Sequence, residues 1–206
     1  TSSATVESAR GRAHALLALS ENLIEITAES GVDTEDTMYI AAVTEAAEEI
    51  GRLFEEAVDH GEISFSDLFD EQYRAVANSN PQQHTTRYVH FTDQELPPIQ
   101  ESMLQLSAQV AFCAAVDRNG FLPTHNLKYS RPQGSNPEWN ASNCRNRRIF
   151  KDRTGLAAAR NEKPFLLQTY RRDMGGGNFV LLKEAAAPIT VRGRHWGGLR
   201  LAYRFE

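Results

Sequence analysis

The feature that most limits what this chain can become is a change of period near Ser107. Before it, apolar residues recur at helical spacing and breakers are sparse. After it, short apolar runs alternate with turn residues. The first half therefore builds helices and the second half a sheet, an α+β class.

From Ala4 to about Glu29, Ala9, Leu16 and Leu23 recur every seven residues, with Val6 and Ala13 offset from them. This narrow seam suits a coiled coil or a bundle partner. Ser30-Gly31 ends the helix, and Asp33, Thr34 and Asp36 offer caps for a second one from about Glu35 to His60, stopped by Gly61. Its stripe reads Ile40, Val43, Ala47, Ile50, Phe54 and Val58. Further on, Ser66 is expected to cap a short helix through Tyr73, Asn78 to Pro81 to turn, and Pro97-Pro98 to begin a helix ending near Leu106.

Beyond Ser107, Gln109 to Val116 reads as a strand, Asp117-Arg118-Asn119-Gly120 as a hairpin-type turn, and the segment ending at His125-Asn126 as its return. Residues 127–142 look like loop, in which Trp139, Asn140 and Asn143 just after it are candidate lid residues; Cys144 to Arg160 looks like one or two short helices broken near Gly155. Phe165 to Arg172 and Asn178 to Glu184 flank Met174-Gly175-Gly176-Gly177 as a second hairpin, and Ala187 to Val191 and Leu199 to Phe205 supply the last strand material. Short connections make the sheet antiparallel. A helical region over 1–106 then leads into a sheet domain over 107–206, together one globular unit.

The charge is divided in the same way. Residues 1–110 hold 5 Lys and Arg against 20 Asp and Glu, net −15, whereas residues 111–206 hold 17 against 7, net +10. Complementary solvated surfaces explain this, as does an anion-accepting C-terminal half. Nucleic acid is disfavoured as a partner, because the acidic helices repel phosphates. No apolar run approaches the length of about 18 to 20 residues needed to span a membrane. The start lacks the basic and apolar regions of a signal peptide. With no CxxC pair, Cys113 and Cys144 favour reduced thiols and a cytoplasmic setting over a disulfide scaffold.

Three stretches, AAVDRNGFLPTHN at 114–126, NCRNRRIF at 143–150 and PFLLQTYRRDMGGGNFVLLKEAAAPITVRGRHWGGLRLAY at 164–203, resemble the Cache/PAS sensor superfamily. The ending is carried by Pro188, Ile189, Val191, Gly193, Trp196, Gly197, Leu199 and Arg200. The stretch is similar to the sensor segment of bacterial methyl-accepting chemotaxis proteins in which that segment follows the signalling coiled coil. The resemblance implies a PAS/Cache-like antiparallel sheet with long N-terminal helices, a homodimer through those helices, and a small polar or anionic metabolite as ligand. It implies signal transduction, not catalysis, in the cytoplasm or alternatively as the periplasmic region of a membrane receptor, with any membrane attachment outside this sequence. The amino-acid-binding pattern of an Arg, a Tyr and a later Asp departs from the family form here, so ligand identity does not carry over.

A pocket of that kind lies between one sheet face and its cover. Arg145 and Arg148 share a face if their segment is helical, and guanidinium forks bind carboxylate or phosphate through paired hydrogen bonds. Gln168, Tyr170 and Arg172 alternate with Leu167, Thr169 and Arg171 along a strand, and Asp173 follows as a partner for Arg172 or for a ligand amine. The ligand-binding candidates are His125, Asn126, Asn143, Arg145, Arg148, Tyr170, Arg172 and Asp173. His125 is also the imidazole that an alternative haem b, gas or redox sensor needs. Nothing in the sequence has metal-ligand spacing, and no GxSxG, HExxH or Cys-His arrangement points to an enzyme of small-molecule metabolism.

Overall fold

The computed structural model describes residues 2–31, 33–174 and 177–204; the side chains of residues 2–4, 14, 17, 18, 21, 24, 25, 28, 29 and 170 lie outside that description. Packing divides the chain into two units, Thr1–Met38 and Tyr39–Glu206. The division by packing thus precedes the change of period and charge by nearly seventy positions, because the second helix belongs with the sheet.

In the first unit, α1 (Ser2–Glu29) closes with Ser30 N donating to Ile26 O and Gly31 at a left-handed φ of 73°. Val6, Leu16, Leu19, Leu23 and Ile26 are each more than half exposed on it. Spacings of three, four and three from Leu16 to Ile26 put four of them on one stripe.

In the second unit, α2 (Thr37–Asp59) buries Tyr39, Val43, Ala46, Ala47, Ile50, Gly51, Phe54 and Ala57. The row is rotated from the expected one: Tyr39 and Ala57 face inward where Ile40 and Val58 are only half-buried. The next helix, α3 (Phe65–Leu68), is a single turn capped by Ser64, whose hydroxyl accepts from Asp67 N at 3.0 Å. Ser66, expected to be the cap, lies inside it. The strands β1 (Arg74–Ala75) and β2 (His84–Thr85) pair with each other. The helix α4 (Val89–Ser102) begins eight residues before Pro97 and carries both prolines in its interior. Burial of Val89, Phe91, Leu96 and Ile99 outweighs the two missing donors, as tertiary packing often outweighs propensity.

The central sheet comprises β3 (Val110–Asp117), β6 (Leu166–Asp173), β7 (Phe179–Val191) and β8 (Arg194–Tyr203) in the order β3-β8-β7-β6, all antiparallel. The expected hairpin return does not pair with β3: β4 (Phe121–Leu122) pairs instead with β5 (Arg148–Ile149), because the outer-edge amides of β3 at Cys113 and Ala115 are taken by the Asn126 and Gln100 side chains. The segment expected as a loop contains a 3-10 turn at Leu127–Tyr129 and α5 (Pro137–Asn143), capped by Asn136 with Pro137 in its first turn. The expected helices from Cys144 to Arg160 reduce to α6 (Arg153–Arg160), which starts at Gly155's own turn because the Asp152 carboxylate accepts from Gly155 N at 3.0 Å. No break separates Glu184 from Ala187: β7 is one strand, and the expected Arg192–Gly198 connection shrinks to Arg192-Gly193, with φ of 49° and 75°. Two consecutive left-handed residues make the primed turn that matches strand twist.

Residues paired across a ladder share a side. One face carries Leu201 opposite Ala185, and Tyr203, whose ring stacks on Tyr39 of α2 at 3.7 Å. The other carries Phe112, Ala114, Gly198, Arg200, Ala202, Glu184 and Gln168. Here α6 lies against the sheet: a Cβ on Gly198 would stand 2.5 Å from Ala158 O. No helix is long and apolar enough to cross a membrane among the described residues.

Candidate functional site

The face covered by α6 holds charge where a sheet normally holds hydrocarbon. Arg200 and Glu184 are 2% and 0% exposed; the guanidinium donates to both carboxylate oxygens at 2.7–3.1 Å, and Gln168 Nε2 donates to the same carboxylate at 3.1 Å and to Thr154 O at 2.9 Å. Further along β6, Arg172 is buried with its guanidinium carbon 4.8 Å from the Phe112 ring centre and 4.1 Å from that of Tyr129. Cations over aromatic faces gain quadrupole attraction, more so when desolvated.

Beside β6, the edge strand of the sheet, lies a cleft of about 280 Å³, close to the lower end of the range of about 300–1,000 Å³ common for small-molecule sites. Ala141, Arg145, Arg148, Phe150 and Asp152 line it together with Arg171 and Asp173 of β6. The two arginines converge although their segment is not a helix. Arg147 takes a left-handed φ of 62°, Arg148 lies on β5, and Nη1 of both Arg145 and Arg148 donates to Ala141 O at 3.2 Å. Each guanidinium also lies about 5 Å from the Phe150 ring centre, at 5.1 and 5.0 Å. Arg145 further donates to Asp173 O at 3.0 Å, and Ser142 Oγ donates to Met174 O, so α5 is tied to the end of β6.

The cleft therefore unites Arg145, Arg148 and Asp173 of the sequence candidates and adds Arg171, assigned by alternation to the side away from the pocket. Arg172 is buried on the covered face and is not in the cleft lining. The cleft, however, opens beside the β6 edge, where Arg171 and Asp173 share a side. Tyr170 pairs with Leu182 through its backbone, and its side chain lies outside the described residues. Asn143 is not in the cleft lining; its Nδ2 donates to Trp139 O at 2.9 Å, within α5.

Asn126 is a structural strut. Its Oδ1 accepts from Cys113 N at 2.8 Å while its Nδ2 donates to Gln100 O at 2.9 Å; Gln100 Oε1 takes Ala115 N at 2.8 Å. These amides line the free edge of β3, which is satisfied by side chains instead of another strand. His125 sits between Phe112 and Tyr129, ring centres at 5.3 and 5.0 Å. Burial, then the charges of Arg172, Arg145, Arg200 and Lys128, hold its imidazole well below the usual pKa. Its Nδ1 accepts from Asn126 N at 2.7 Å, which leaves the proton on Nε2.

A depressed folded pKa means that the unfolded chain binds the proton first, so this residue's contribution is present at neutral pH and is lost as pH falls below the ordinary value of about 6.5. Unfolding midpoints in urea from pH 7.5 to 5 should fall less steeply in His125→Asn, whose amide oxygen can still accept from Asn126 N. Equal slopes would remove His125 from the acid response.

Among the described residues no group of three or more His, Cys, Asp and Glu is placed to hold a metal ion, and Cys113 and Cys144 are free, buried thiols. The haem expectation does not fit His125: an imidazole bound to iron through Nε2 needs its proton on Nδ1, and that atom faces an amide N–H. Neither a protein-family model nor a curated protein matches this sequence.

Proposed function

We propose that this chain is the ligand-sensing part of a bacterial chemotaxis-type signal transduction receptor, and that it binds a small polar or anionic metabolite. The observation that carries the reading is the cleft where Arg145, Arg148 and Arg171 line one small cavity. Arginine presents planar donor forks to carboxylate and phosphate, and aromatic contact preorganises them. Two further features support the sensor reading. The four-stranded antiparallel sheet with its first strand beside its last supports the resemblance to a PAS/Cache-like sheet, although β4 pairs with β5 instead of joining it. The exposed Leu16, Leu19, Leu23 and Ile26 stripe of α1 suits pairing with the same helix of a second copy, the connection through which a receptor passes its signal.

Titration of the protein with a panel of small carboxylates and phosphates tests the reading by calorimetry. At least one should bind, and Arg148→Ala should weaken it about 10- to 100-fold, the worth of one or two charge-assisted hydrogen bonds. A panel without binding, or binding indifferent to Arg148, would overturn it.

A further inference from the structure

The β6–β7 hairpin reaches beyond the sheet to which it belongs. Among the described residues β8 pairs with β7 only from Lys183 onward, so Phe179–Leu182 have β6 on one side and no strand on the other. Met174 N donates to Asn178 O at 2.8 Å and closes the tip. On this overhang Phe179, Val180 and Leu181 are 48%, 39% and 54% exposed. Successive strand residues point to opposite faces, so the ribbon is bare and apolar on both. A protein surface docked on a ribbon covers one face, whereas a fluid apolar layer covers both.

The charge around the overhang suits a lipid headgroup layer. Arg171, exposed and directly across from Leu181, has its guanidinium carbon 3.9 Å from the Phe179 ring centre. A guanidinium is weakly hydrated, so its stacked face can enter an apolar boundary while its in-plane donors meet phosphate oxygens. Trp139, 46% exposed, stands three residues before Ser142, whose hydroxyl donates to Met174 O at the tip. Exposed indoles favour membrane–water boundaries. Asp173, exposed across from Phe179, offsets one positive charge, but the sequence from residue 111 onward carries a net +10. The acidic residues of α2 recede from the tip: that helix runs from Tyr39, stacked on Tyr203, to Gly51 at Thr190 and to Asp59, paired with Arg192 at the far end of β7. We infer that the overhang is a membrane-docking element: Phe179, Val180 and Leu181 enter the headgroup region of an anionic lipid surface, and Arg171 meets its phosphates. This inference does not depend on what the arginine cleft binds.

Co-sedimentation of the full chain with lipid vesicles at low salt is the test. Vesicles of phosphatidylcholine mixed with phosphatidylserine should bind the protein about 10-fold or more tighter than phosphatidylcholine alone. They should also shift the fluorescence of Trp139 to the blue, Trp196 being buried already. Phe179→Ser/Leu181→Ser should lower binding about 10-fold or more while unfolding in urea as cooperatively as the parent. Arg171→Gln, which keeps both apolar side chains, should lower it about 3- to 5-fold. Absence of binding to either vesicle, or binding unchanged in Phe179→Ser/Leu181→Ser, overturns the inference. So does binding that Leu16→Ser/Leu23→Ser on α1 abolishes and the hairpin variant keeps. Without vesicle binding, a hairpin variant that changes the size of the protein in solution identifies a second copy as the occupant and overturns the lipid assignment.

Discussion

Arg200→Met is expected to destabilise the protein by about 3–5 kcal/mol, because it leaves the fully buried Glu184 carboxylate without its cation. Both ions have left water, and their attraction offsets that cost only while the geometry holds: three guanidinium contacts at 2.7–3.1 Å and the amide of Gln168. Removing one partner forfeits the attraction and keeps the desolvation penalty of the other. The double variant Glu184→Leu/Arg200→Met should recover most of the loss, to within about 1–2 kcal/mol of the parent, since apolar replacement of a whole buried pair is often neutral or better. Urea unfolding midpoints of the two single variants and the double variant give the coupling directly. An Arg200→Met loss under about 1 kcal/mol would mean that Glu184 finds water or is neutral, and that the pair does not organise this face.

That pair also shows where sequence reading stops. Glu184 sits in a Lys-Glu-Ala stretch and Arg200 in Leu-Arg-Leu, and each looks like the polar position of a half-exposed strand. Only the registers, Gln168 opposite Glu184 and Ala114 opposite Arg200, bring them to one buried side. Local patterns were legible where local forces decide. The Asp-Arg-Asn-Gly turn, the two long helices and the antiparallel β6–β7 pairing follow from periodicity and turn chemistry, whereas the hairpin expected after that turn does not form and Gly175-Gly176 lie outside the described residues. The α4 start was not legible, because burial there outweighs Pro97 and Pro98. The convergence of Arg145 with Arg148 was anticipated for a helical reason, whereas Arg147's left-handed backbone and the shared Ala141 carbonyl produce it. Asn126 stood out as polar on an apolar segment, a signal that a strand-edge strut gives as readily as a ligand contact. Arg171 needed knowledge of which edge of β6 is open.

Asp117→Ala should be nearly as costly, on the order of 3–5 kcal/mol, for the opposite kind of reason: it removes an acceptor and strands donors. The carboxylate ends β3 and is 5% exposed. Its Oδ1 accepts from Asn119 N and Phe121 N, both at 2.9 Å, and so shapes the turn; its Oδ2 accepts from the hydroxyls of Tyr73 at 2.6 Å and Tyr88 at 2.8 Å, and so ties that turn to the segments around α3 and α4. Burial raises its pKa despite these four donors, and it raises those of both tyrosines. In the alanine variant the Tyr88 hydroxyl and the Phe121 amide remain buried without this acceptor, at about 1–3 kcal/mol each. Asp117→Asn keeps one oxygen for the turn amides and offers an N–H₂ to which the tyrosine oxygens can turn as acceptors, so its loss should be about half as large. Tyr88→Phe removes one donor together with its need and should cost only about 1 kcal/mol. The ranking Ala, then Asn, then Phe in denaturant midpoints is the signature of a satisfied acceptor hub. If Tyr88→Phe, which keeps the ring against Trp196 and Phe121, proved as damaging as Asp117→Ala, the single Tyr88 hydroxyl bond, and not a hub of four donors, would be what holds the turn in place.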